Sequence, residues 1–272
     1  MLAIATFAGN ASAIVVDGSW SDWFSYGGTN FNDWDQAAAS GSLLSSSYRF
    51  MDDPDNDAFG GQPYDIEQLF YYYDDADSNA LSGGVLYIGM VTGYDPANTL
   101  YSAGDMFVDL GATGSYSIAV ATGTVDTLGN PDPRFGSAWI NAGWDETTDG
   151  VTTILTSSNP YRILEGAGGV IEYGTGPAAG LTSTVAWGLN QDASGARNFL
   201  EIAIDLDGTF EEQIDNGLGD GGLGLHWTMQ CGNDVINVVD NVPLAPVPEP
   251  TTMVLLGMGV LGMALRARRP VC

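Results

Sequence analysis

Three aspartates at alternating positions, Asp53, Asp55 and Asp57 in Met51-Asp52-Asp53-Pro54-Asp55-Asn56-Asp57-Ala58, offer oxygen in the spacing that wraps a hard cation, and calcium is the cofactor they point to. The loop departs from an EF-hand, because Ala58 stands where the loop glycine belongs and Tyr64 where the closing glutamate belongs. Asp74-Asp75-Ala76-Asp77-Ser78-Asn79 is a second acidic stretch of the same kind. For both stretches a plain polar turn is the competing reading. Trp20 and Trp23, two residues either side of Ser21-Asp22, are a candidate carbohydrate-binding pair, since sugar rings lay their C–H faces on exposed indoles. The alternative is that these indoles seal one end of the fold. Trp34, Trp139 and Trp144 also fall in turn-rich or loop-flanked segments.

Acid–base and metal chemistry of other kinds finds little to work with. His226 is the single histidine, so a two-histidine zinc site cannot be built, and neither His-Glu-x-x-His nor Gly-x-Ser-x-Gly occurs. It is expected on the polar face of a strand, as a surface or groove residue. Glycoside hydrolysis needs only two carboxylates at a suitable separation, and here the acidic residues are too many to single out a pair. The sequence therefore assigns no catalytic residue and reads as a non-catalytic protein. A secreted carbohydrate-active enzyme and a structural matrix protein without a ligand are the alternatives.

The elements that must position these residues are strands almost throughout. In Phe199 to Leu206, Leu200, Ile202, Ile204 and Leu206 alternate with Glu201 and Asp205; in Leu223 to Cys231, Leu223, Leu225, Trp227, Met229 and Cys231 oppose His226, Thr228 and Gln230. Further strands are expected over 69–73, 85–92, 105–110, 115–121, 137–140, 151–155, 170–173 and 185–189, with one short helix over 35–44. Some ten strands at short spacing, with 37 glycines available for turns, predict an all-β fold, an antiparallel β-sandwich of the jelly-roll kind.

Composition limits the partners. The chain holds 34 acidic and 7 basic residues, and every basic residue is an arginine. Setting aside Glu249 and the three tail arginines leaves 33 acidic and 4 basic residues, a formal charge of −29. A nucleic-acid backbone or an anionic membrane surface would be repelled. With 44% hydrophobic and 11% aromatic residues the body still has enough apolar surface to fold. Cys231 is the sole cysteine before the tail, so no disulfide forms within the body, and it reads as a small core residue.

Both ends carry signals of a different nature. Leu2 to Gly9 is apolar and Ala11-Ser12-Ala13 supplies small residues at alternating positions, so residues 1–13 read as a signal peptide, lacking a positive leading region, that signal peptidase cuts after Ala13. Residues 14–246 form the β-sandwich domain, and residues 247–272 are a separate tail. In that tail Pro248-Glu249-Pro250 precedes fifteen uncharged residues, 251–265, and then Arg266, Arg268 and Arg269. A helix of that length reaches only about 22 Å, a marginal transmembrane span that snorkelling arginines would lengthen on the cytoplasmic side.

Taken in order, these three parts resemble the PEP-CTERM sorting signal. The resemblance implies exosortase as a partner, cleavage near Pro248-Glu249-Pro250, transient anchoring in the inner membrane of a Gram-negative bacterium, and delivery to the cell envelope or an exopolysaccharide matrix. Cys272, beyond the arginines, departs from the pattern. The segments Val16-Asp17-Gly18-Ser19-Trp20-Ser21-Asp22-Trp23, Tyr64-Asp65-Ile66-Glu67, Leu86-Tyr87-Ile88-Gly89 and Gly104-Asp105-Met106-Phe107-Val108-Asp109 are similar to those of DOMON-like sandwiches, which include family-nine carbohydrate-binding modules. That second resemblance implies sugar binding at exposed aromatics and calcium bracing the loops. Some relatives bind haem, which a single histidine suits poorly.

Overall fold

Alternating apolar residues pair into ten strands, β1 (Arg49–Asp52), β2 (Ile66–Asp74), β3 (Val85–Thr92), β4 (Asp105–Leu110), β5 (Ile118–Ala121), β6 (Ala138–Ile140), β7 (Thr182–Gly188), β8 (Asn198–Asp205), β9 (Leu223–Thr228) and β10 (Val235–Asp240). The structure is a computed structural model that describes residues 14–24, 43, 49–52, 62–74, 84–98, 100–111, 116–125, 128–140, 181–191, 197–206, 222–229 and 234–240. The signal segment 1–13, the loop holding Asp53, Asp55 and Asp57, the strands expected over 151–155 and 170–173, Cys231 and the tail lie outside those residues. So does the helix expected over 35–44, apart from Leu43, which makes an isolated bridge to Phe24.

The strands form two five-stranded antiparallel sheets, ordered β1-β2-β3-β8-β7 and β10-β9-β4-β5-β6. One core cluster draws on both. Leu69 and Tyr71 of β2, Ile88 and Met90 of β3, and Leu200, Ile202 and Ile204 of β8 join Met106 and Val108 of β4, Ile118 and Val120 of β5, Leu225 and Trp227 of β9, and Ile236 and Val238 of β10. Each such aliphatic side chain contributes roughly 1.5–3 kcal/mol on leaving water, so this shared layer dominates the stability. All-β organisation is thus as the alternation predicts. Among the described residues the helices are two single turns of 3-10 type, Trp20–Asp22 and Gln62–Tyr64, and no helix is long and apolar enough to cross a membrane.

Polar ties join the sheets at both margins. On one, Asp234 accepts the Ile66 N–H at 2.6 Å and the Tyr71 hydroxyl donates to Asp240, linking β2 to β10. Burial, followed by the hydrogen bond from Tyr71 to the Asp240 carboxylate and that group's negative charge, holds the Tyr71 phenol well above its ordinary range. On the other, Ser183 of β7 donates to the Gly136 carbonyl at 2.7 Å, and the Trp187 indole donates to the Thr122 carbonyl at 2.9 Å. The Trp227 indole N–H donates to the Thr122 hydroxyl at 3.0 Å, so the tryptophans of β7 and β9 converge on one residue.

Candidate functional site

Part of the first sheet's face that points away from the shared core is also dry, around Phe70, Val91, Phe199 and Glu201, because residues 14–24 cross it there as a strap. Asp17 accepts the Ser19 N–H at 2.7 Å, and the Ser19 side chain accepts the Ser21 N–H as the N-cap of the Trp20–Asp22 turn. That turn sends Trp23 and Phe24 inward. They pack on Phe70 and Phe199, with the Phe24 ring 5.2 Å from Phe70 and Trp23 edge-on to Phe199 at 6.4 Å, beside Ile14 and Val91. Space for the indole comes from Gly89, where a Cβ would lie 2.8 Å from the Phe199 ring and 3.1 Å from that of Trp23.

Glu201 lies under this strap. It occupies the register row Phe70–Gly89–Glu201–Ala186, opposite in direction to Leu200 and Ile202, and is fully buried. Its carboxylate accepts the Gly18 N–H at 2.6 Å, the Asp17 N–H at 3.0 Å and the Trp23 indole N–H at 2.8 Å. Burial pushes its pKa up to about 7; the Trp23, Gly18 and Asp17 donors pull it down, and the charge of Asp17 pushes it up again.

The raised value fixes a sign. Because the folded form holds the proton more tightly than an ordinary carboxyl at 4.5, the proton-linked part of this group's contribution is fully present below about pH 4.5 and is lost as pH rises through about 7, while its role as acceptor for three donors remains. Urea denaturation between pH 8 and pH 5 should therefore show stability increasing toward the acid side by on the order of 2 kcal/mol from this group. Glu201→Gln should remove that slope.

The strap reaches Glu201 through a backbone approach that no side chain permits. Gly18 has φ +82°, and a Cβ on Gly188 would lie 1.7 Å from the Gly18 carbonyl oxygen. Gly188→Ala should consequently displace the strap, lowering stability by about 2–3 kcal/mol and raising hydrogen exchange at the Gly18 amide.

Trp23 therefore differs from its expected role. Its ring has no exposed face, being spent on Phe70, Phe199 and the Glu201 hydrogen bond, so the two-indole platform is not presented to solvent. Trp20 is half-buried and leans on Phe24 at 5.4 Å. The pair caps the outer side of a sheet. The other residues of the DOMON-like segments are largely structural as well: Asp65 and Glu67 are buried beside Ile66, and Asp105 and Asp109 are buried on β4.

Two buried arginines are held by carboxylates. Arg134 chelates Asp132 with Nε at 3.1 Å and a terminal nitrogen at 2.7 Å, and its other terminal nitrogen lies 3.6 Å from Asp105. Asp132 also accepts the Arg134 backbone N–H at 2.9 Å, which fixes the turn leading into β6. Arg197, 1% exposed, meets Glu67 at 2.6 Å. Glu67 is the extra residue of a bulge in β2, where the register against β3 shifts between Ile66 and Gln68.

His226 corrects a second expectation. Instead of facing solvent it is wholly buried, its Nδ1 lying 2.5 Å from the Asn237 side-chain oxygen of β10 and its ring 5.7 Å from Tyr116 and 6.1 Å from Phe107. A carboxamide oxygen only accepts, so Nδ1 carries a proton. Burial, and then the charge of Asp109, raise the Tyr116 phenol above its ordinary range. Among the described residues no group of three or more His, Cys, Asp or Glu is arranged to hold a metal. The calcium loop at Asp53, Asp55 and Asp57 lies outside them.

The decisive comparison concerns the tail. Residues 246–269 match the family model of the PEP-CTERM protein-sorting motif. The chain carries a PEP-CTERM motif. Its span takes in Pro248, Glu249 and Pro250, the uncharged run and all three arginines, in the order read from the sequence. No curated protein and no solved structure matches the chain.

Proposed function

We propose that this is an exported, exosortase-processed protein whose acidic, non-catalytic two-sheet body is delivered to the cell envelope or the extracellular matrix. The observation that carries the reading is the PEP-CTERM motif at 246–269. The body supports it in two ways. Its formal charge of −29, without the tail, suits a hydrated, cation-bearing matrix, the setting in which weak oxygen-ligand calcium sites such as the Asp53 loop fill. Among the described residues, four ionisable groups are engaged in structure: Glu201 with three donors, His226 with Asn237, Arg134 and Arg197 with carboxylates. A jelly-roll form of the sandwich and contact with exopolysaccharide belong to the same proposal.

Changing Pro248, Glu249 and Pro250 together to Ala tests it in the native host. The unaltered protein should reach the envelope or medium with its tail removed, as read by intact mass, whereas the variant should stay in the inner-membrane fraction untrimmed. Intact protein in the cytosol of the unaltered strain would overturn the proposal.

A further inference from the structure

We infer that the exposed part of the first sheet's outer face, where Tyr87 stands between Asp74 and Asp205 beside Ala203 and Thr184, binds a single chain of a neutral polysaccharide. The inference rests on the matrix reading for its setting and gives that reading a ligand class and a site.

The site begins beside the strap. Next to the row Phe70–Gly89–Glu201–Ala186, on the same face, lies Tyr72–Tyr87–Ala203–Thr184, one residue from each of β2, β3, β8 and β7. Tyr72 and Tyr87 are half-buried against the aromatic cluster under the strap and stack on each other, with ring centroids 6.2 Å apart and planes 16° apart. Tyr72 thus fixes the Tyr87 ring from the β2 side. On the β8 side Ala203 ends at its Cβ, and Thr184 beyond it is exposed, so the sheet steps down next to the ring. A sugar ring laid in that step sets its C–H face on the tyrosine.

The following row supplies polar contacts. It reads Asp74–Val85–Asp205–Thr182, with Asp205 and Thr182 exposed and the Thr182 hydroxyl donating to Asp205 at 3.4 Å. Burial, and then the charges of Asp74 and Asp205, raise the Tyr87 phenol above its ordinary range, so it keeps its proton with both carboxylates nearby. A phenol that donates and carboxylates that accept suit sugar hydroxyls, which do both.

Charge and size select the occupant. The two carboxylates, on a body of formal charge −29, repel any polymer carrying phosphate, sulfate or carboxylate, which leaves an uncharged one. A second copy of the chain would bring the same carboxylates face to face. The two rows run roughly 15 Å from β2 to β7, far less than the roughly 20–30 residues a side of a protein interface. A polysaccharide one sugar wide needs no more.

Native electrophoresis of the purified full-length chain through gels holding hydroxyethyl cellulose, galactomannan or arabinoxylan tests the site, with mobility referred to gels without polysaccharide. At least one of these should retard the protein, while alginate, which is anionic, should not. Tyr87→Ala should raise the apparent dissociation constant roughly fivefold. Thr184→Arg changes an exposed residue, places a long side chain in the step and should abolish retardation, whereas Val239→Ser, at an exposed position of the other sheet, should leave it unchanged. Retardation by none of the three neutral gels, equal retardation by alginate, or Thr184→Arg binding like the unaltered protein would overturn the inference. So would light scattering that finds the unaltered protein dimeric and Thr184→Arg monomeric, since the face would then join two copies. Purified protein makes this test independent of tail trimming: intact protein in the host cytosol sinks the export reading, and the gels alone decide the site.

Discussion

Glu201→Ala should lower the stability of the fold by about 3–5 kcal/mol, measured as urea-denaturation free energy at pH 7. Three N–H groups, two from the backbone and one from an indole, have their acceptor in this one side chain. Leaving a buried donor without an acceptor costs about 1–3 kcal/mol, and the Asp17 amide, nearest the surface, will recover part of its share from water. The strap should be the part that fails. Hydrogen exchange should rise first at Asp17, Gly18 and the Trp23 indole, and tryptophan emission should shift to the red as Trp23 leaves Phe70 and Phe199. Glu201→Gln should cost less, because one oxygen remains, though its amide NH₂ then confronts N–H groups that cannot accept. A Glu201→Ala protein as stable as the original would mean that the strap adds nothing to folding.

Arg134→Met should be comparably severe, about 3–5 kcal/mol by chemical denaturation. The replacement roughly keeps the volume of the side chain but removes the guanidinium that joins buried Asp132 and Asp105, and a buried charge that loses a partner is far costlier than the pair was favourable. Adding Asp132→Asn and Asp105→Asn to Arg134→Met should therefore recover much of the loss. If the triple variant is as unstable as the single one, the arginine acts through packing along its methylene stem. Arg197→Met offers a second comparison, since the Glu67 carboxylate faces it at 2.6 Å.

Strand placement was legible where alternation is strict. β3 and β4 begin and end where the apolar pattern does, and Leu200, Ile202 and Ile204 face the shared core as their spacing requires. β10 is an added strand: Ile236 and Val238 face inward but Val239 is 57% exposed, so the apolar run Val238-Val239 hides a period of two. β1, with Arg49 and Asp52 at its ends, offers too short a pattern to read.

The site is a different matter. Alternation tells which residues share a face and nothing about what covers that face. Glu201 and His226 look like solvent-side residues by period, yet both are buried, Glu201 by a strap nearly two hundred residues distant in the chain. Trp23 misled for the same reason, as a turn-rich neighbourhood says where the backbone bends but not which way the ring goes. The glycines at 18, 89 and 188 were the available signal, since each removes a side chain where another part of the chain must come close.

Of the four arginines in the body, Arg134 and Arg197 pair with interior carboxylates, which leaves two arginines to set against the rest of the body's 33 acidic residues. Many copies confined to one layer would hold mobile cations in Donnan equilibrium with the medium, and water would follow those ions inward. In such a layer the burial of two guanidinium groups would have an osmotic consequence: the layer would swell at low ionic strength and contract when divalent ions enter.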